Sequence, residues 1–142
     1  MPHVAKLNDQ LGVVAIRYWG NLTYGEIAQA FGELVALPGF RKGMKCIADF
    51  RKAHTALTGA DIRQLAGIAA GTDGDWGATK WAVIASDDVI FGLSRMYSSL
   101  TADHEVTTHV FRSADSANDW LELGIGMDDI IGRILGPDAL SA

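Results

Sequence analysis

The chain has 142 residues, of which 49% are apolar and 20% charged, and a net charge of −5 at pH 7. That is one ordinary domain with enough apolar surface for its own core, which excludes a largely disordered chain. The negative balance argues against nucleic acid as the main partner, which calls for a basic stripe, and the lone Cys46 excludes an internal disulfide.

The opening stretch "MPHVAKLNDQLG" is too polar for a signal peptide, and no apolar run approaches the ~18 residues of a membrane span, so a cytoplasmic location is expected. His3 to Leu7 alternates as a short edge strand, and "NDQLG" supplies turn residues. Gly12 to Gly20, rich in β-branched and aromatic residues, reads as the second strand of an antiparallel hairpin. "NLTYGEIAQAFGELVALPG" then reads as a helix. Thr23 and Glu26 have capping-box spacing, Ile27, Phe31, Leu34 and Val35 share one face, and Pro38-Gly39 ends it.

Met44 to Phe50 is the next expected strand, with Cys46 as a buried, inert thiol. "RKAHTAL" reads as a polar connection into a helix that starts near Thr58 and turns Ile62, Leu65 and Ala69 inward. Gly71 to Lys80 reads as a flexible, glycine-rich loop. "WAVIA" does not alternate, so it is expected to be a strand buried on both faces. Its helix carries Val89, Leu93, Met96, Tyr97 and Leu100 on an inner stripe, with Arg95 off that stripe in solvent. Val106 to Phe111 is the last strand, and Ser113 caps a helix that faces inward through Ala117, Trp120 and Leu121. The tail is expected to form one more amphipathic helix through Ile130, Ile131, Ile134 and Leu135, whose stripe calls for cover by its own domain or by a second copy in a homodimer. Strands that alternate with helices predict right-handed crossovers and a mostly parallel sheet in one domain spanning residues 1–142, with 127–142 as the additional tail.

In open α/β sheets ligands gather beyond the carboxyl ends of the parallel strands. The loops expected there hold Arg51, His54 and Thr58, then Ser86 and Asp87, then Arg112 and Ser113, with Asp49 close by. Ser86, Asp87 and Asp88 stand where a helix needs acceptors for its first N–H groups, so capping is preferred over a Mg²⁺ site built with Asp49. Thr58 and Asp61 have near-capping-box spacing, and phosphate on Thr58 would also suit a helix N-terminus. His54 is the best pocket histidine; His3 reads as terminal and His109 as a strand side chain. "HEVTTH" is one residue too long for a zinc-peptidase motif, and "TDGDWG" lacks the distal Glu of a calcium loop. No phosphate loop, dinucleotide fingerprint or nucleophile elbow is present, so no catalytic residue, metal or cofactor is expected.

A strand ending in "ASDD", then "FGLSRMY", then "VFRS" and a final "A…WL" resembles the SpoIIAA-like family, the STAS/SEC14-like domains of small bacterial proteins. "RYWGNLTYGEI" and "CIADFRKA" support it, and the resemblance covers nearly the whole chain. It implies an α/β fold with a mixed five-stranded sheet, the first strand antiparallel and the rest mostly parallel, flanked by helices. It also implies a binding or regulatory role without enzyme activity. From the STAS side comes a protein partner and a switch hydroxyl, which falls at Thr58 with Asp49 as the strand-end acid; Ala56 and Leu57 stand where the family pattern has Asp and Ser. From the SEC14 side comes a pocket for a small apolar, lipid-like ligand.

Overall fold

The computed structural model describes residues 3–124. The expected tail helix, its apolar stripe and the homodimer argument built on it lie outside the described residues. Strand β1 (His3–Asn8) turns through residues 9–12 into β2 (Val13–Leu22), and the two pair antiparallel from His3↔Tyr18 to Asn8↔Val13. The Asn8 side chain accepts the Leu11 N–H at 2.9 Å, and Gly12 takes φ +66°, so the turn residues of "NDQLG" act as expected.

Helix α1 (Tyr24–Val35) starts at Thr23, whose hydroxyl accepts the Glu26 N–H at 3.3 Å. Only this arm of the expected capping box forms, because Glu26 Oε2 is buried without a partner among the described residues. The remaining elements are β3 (Lys45–Thr55), α2 (Gly59–Trp76), β4 (Thr79–Ile84), α3 (Asp88–Leu100), β5 (Val106–Phe111) and α4 (Ala114–Leu121). Strand order in space equals order in the chain, β1-β2-β3-β4-β5, and β2 to β5 are all parallel. The fold is thus the expected mixed five-stranded α/β sheet. Among the described residues no helix is long and apolar enough to cross a membrane.

Monotone order has a geometric consequence. Each right-handed crossover steps the same way across the sheet, so α1, α2 and α3 all land on one face. Val14, Ile16, Cys46, Ala48, Trp81 and Val83 point to that face and pack on Phe31, Leu34, Ile62 and Leu65. Val13, Ala15, Ile47, Ala82 and Ile84 point the other way, towards Ala117 and Leu121 of α4. Period-two alternation therefore sorts nearly every strand residue into one of two cores. The strand order never reverses, so the carboxyl edge lacks the switch-point crevice of doubly wound sheets.

Three local expectations are corrected. First, β3 does not end at Phe50: β2 continues to Leu22 and carries β3 with it, pairing Trp19↔Lys52 through Leu22↔Thr55 after a register shift. The polar stretch from Arg51 is a strand because its neighbour satisfies its backbone. Second, Gly71 to Trp76 is not a loop but the end of α2. Trp76 is buried, edge-on to Phe40 (4.8 Å between centroids) and to Trp81 (4.9 Å). The Asp73 carboxylate accepts the N–H groups of Glu105 and Val106 at 3.0 and 3.1 Å, which ties this last turn to the start of β5. These contacts override the poor helix propensity of Gly71 and Gly74. Third, Val89 and Leu100 are exposed, because the inner stripe of α3 runs through Ile90, Leu93 and Tyr97.

Candidate functional site

At the carboxyl edge, Asp49 and Arg51 meet as the sequence suggested, but around a third residue. Arg17 lies opposite Asp49 in the β2–β3 register and donates from Nε (2.8 Å) and Nη2 (2.5 Å) to Asp49 Oδ2. Arg51 donates from its backbone N–H and its Nε to Oδ1, both at 3.0 Å, and from Nη2 to Oδ2 at 3.1 Å. Asp49 and Arg17 are buried, at 1% and 3% exposure. Burial pushes the Asp49 carboxyl pKa up, but hydrogen bonds from the Arg51 side chain and backbone and from Arg17 outweigh it and hold it below the ordinary value. A carboxylate saturated by two guanidinium groups cannot also serve as a proton acceptor or metal ligand; its geometry is that of a structural clamp. Sequence reasoning missed Arg17, although a charge inside "VVAIRYWG" was itself the signal that a buried partner had to exist.

Thr58, Asp87 and Arg112 are engaged locally. Thr58 is the N-cap of α2, with its backbone N–H (2.9 Å) and hydroxyl (3.1 Å) on Asp61 Oδ2 and the Asp61 N–H returned at 3.3 Å. Asp87 caps α3 by accepting the N–H groups of Val89 and Ile90 at 2.8 and 3.2 Å. Ser86 is exposed, and its carbonyl accepts from Arg112, which also pairs with Asp88 at 2.7 Å and lies over the Phe91 ring at 4.0 Å. His54 is exposed on β3. Arg95 is exposed. Among the described residues no three His, Cys, Asp or Glu side chains group as a metal site. His3 is not a loose terminal residue, since Nε2 sits 2.9 Å from Glu33 Oε2, and His109 stacks on Trp120 at 4.6 Å.

A cavity of about 100 Å³ lies elsewhere, between the sheet and α1–α3. Its floor is Ile16, Tyr18, Ala48, Trp81 and Val83, and its roof includes Phe31 and Leu34 from α1, Leu65 from α2, and Leu93 and Tyr97 from α3. None of Asp49, Arg51, His54, Thr58, Ser86 and Asp87 lines it. Cys46 lines it, fully buried, and burial pushes its thiol pKa up, so it is the inert thiol expected. Burial likewise raises the pKa of the Tyr18 and Tyr97 hydroxyls, which therefore stay neutral. Walls of this kind can hold an uncharged, largely apolar molecule and bring no charged side chain to pair with an ion.

No protein-family model and no curated protein sequence matches the chain. Among solved structures it is similar to an uncharacterized protein from the DUF3478 family with a SpoIIAA-like fold from Shewanella loihica PV-4. The two share 18% identity, over 77% of this chain and 83% of that one, with a TM-score of 0.49. The fold described for that protein is the one the sequence resemblance names; the topology itself is read from the strand order and directions above.

Proposed function

We propose that this chain is a non-enzymatic binding domain whose site is the cavity between the sheet and α1–α3, and that its ligand is a compact, uncharged, apolar molecule. The observation that carries the reading is the cavity of about 100 Å³ among largely apolar walls. Apolar cavities of roughly 150 Å³ take benzene, so this one suits a molecule of similar or smaller size rather than a whole lipid. A void of this volume costs a core on the order of 2 kcal/mol, which a bound apolar molecule recovers. Native mass spectrometry of freshly purified protein is expected to show a small adduct. Benzene titrated into the stripped protein is expected to shift the methyl resonances of Ile16, Leu34, Leu65 and Val83 together. An unmodified mass with no such shifts would remove the reading.

A protein-interaction module on the carboxyl rim, switched by phosphate on Thr58, is the second reading. The exposed position of Thr58 at the head of α2 favours it. Asp61 weighs against it, because a phosphate of about −1.5 to −2 charge would displace or confront the carboxylate that now holds the Thr58 hydroxyl. This reading predicts a phosphoryl adduct, mapped to Thr58, after incubation with ATP and a lysate of the source organism. An unmodified intact mass in that experiment ends it.

A further inference from the structure

We infer that molecules enter and leave the cavity at the carboxyl rim, past Leu57, and that Leu57 sets the rate of both steps. The inference rests on the cavity reading and adds its route of access. The wall is uneven in exposure. Near the starts of the parallel strands, Leu34 (3%), Cys46 (0%) and Trp81 (8%) are all buried. At the carboxyl end, Ile27 near the start of α1, Phe50 and Thr55 on β3, and Leu57 are partly exposed. Leu57 also differs from the rest of the wall. Every other described residue that lines the cavity belongs to a helix or strand, whereas Leu57 lies in the connection between β3 and α2. That connection is anchored on both sides. Thr55 Oγ1 accepts the Leu57 N–H at 3.1 Å and donates to the Leu22 carbonyl at 3.3 Å, and the Thr58–Asp61 capping box holds the start of α2. Connecting segments open at lower cost than the helices and strands they join, so the wall yields first at Leu57. Leu93, Ser94 and Tyr97 are partly exposed as well, but they belong to one continuous helix, α3, and move only with its neighbouring turns.

Benzene exchange, measured by NMR on wild type and two variants, tests this. In Leu57→Ala the side chain at the mouth is cut back, and the association and dissociation rates are both expected to rise roughly tenfold or more. In Thr58→Ala the wall is untouched, because Thr58 does not line the cavity, but the capping box is lost. Both rates are then expected to rise about threefold, with the affinity held within about twofold. A gate lowers the same barrier in each direction, whereas a lost wall contact speeds dissociation alone. Thr58→Ala, at an exposed position, decides the matter where Leu57→Ala fails to fold. An association rate unchanged in either folded variant overturns the inference and leaves the cavity reading standing, with entry beside α3 instead. Failure of benzene to bind the wild-type protein overturns both.

Discussion

Asp49→Ala is expected to destabilise the domain by about 3–5 kcal/mol, because it removes the buried carboxylate to which Arg17, 3% exposed, and Arg51 both donate. For a chain of this size that lowers the melting temperature by roughly 10–15 °C. The double variant Arg17→Met, Asp49→Leu is expected to recover most of that loss, because it removes the two buried charges together and leaves only Arg51, whose side chain reaches solvent, to give up its bonds to Asp49. The contrast separates a structural clamp from a reactive carboxylate, since a reactive group would be dispensable for folding. The pH dependence follows from the same contacts. The Asp49 pKa in the folded state lies below its unfolded value, so its contribution is complete above about pH 3.9 and is lost as pH falls through the folded pKa. Urea titrations of wild type and Asp49→Ala at pH 7 and at pH 3 check both statements. A gap between the two proteins that does not shrink in acid, or that is under 1 kcal/mol at pH 7, contradicts the assignment.

The frame of this fold was legible because burial imposes simple periods. Alternation marked β1, β-branched and aromatic content marked β2, the unbroken "WAVIA" marked a strand covered on both sides, and the caps at Thr58, Asp87 and Ser113 all hold helices where their side chains predicted. Long-range satisfaction was not legible. Residues 51–55 look like a loop until Trp19–Leu22 is placed beside them, and Gly71–Trp76 looks flexible until Asp73 reaches β5 and Trp76 reaches Phe40. The candidate site divided the same way. Asp49 and Arg51 do converge, yet polarity drew attention to the rim, where caps and ion pairs already occupy Thr58, Asp87 and Asp88. A cavity is a deficit of volume among apolar side chains, and no spacing in the chain encodes it. Only the relation of Ala48 to the large residues facing it, such as Phe31 and Leu65, shows where the core fails to close.

That relation yields the second large effect. Ala48 sits in the middle of the cavity floor, in register with Ile16 on β2 and Val83 on β4, and is itself buried. Ala48→Leu is expected to fill the space and to weaken benzene at least tenfold, while stability changes by less than about 1 kcal/mol because the added methyl groups enter existing volume. Leu65→Ala, on the roof, is expected to act in the opposite sense. It should cost about 2–5 kcal/mol of stability and admit molecules larger than benzene, such as butylbenzene, that wild type excludes. Binding measured by methyl shifts across the three proteins therefore orders ligand size by cavity volume. If the site lies instead on the polar rim, Ala48→Leu leaves binding intact, because Ala48 points to the opposite face of the sheet from Asp49. Undiminished benzene affinity in a folded Ala48→Leu protein is thus the outcome that moves the site out of the cavity.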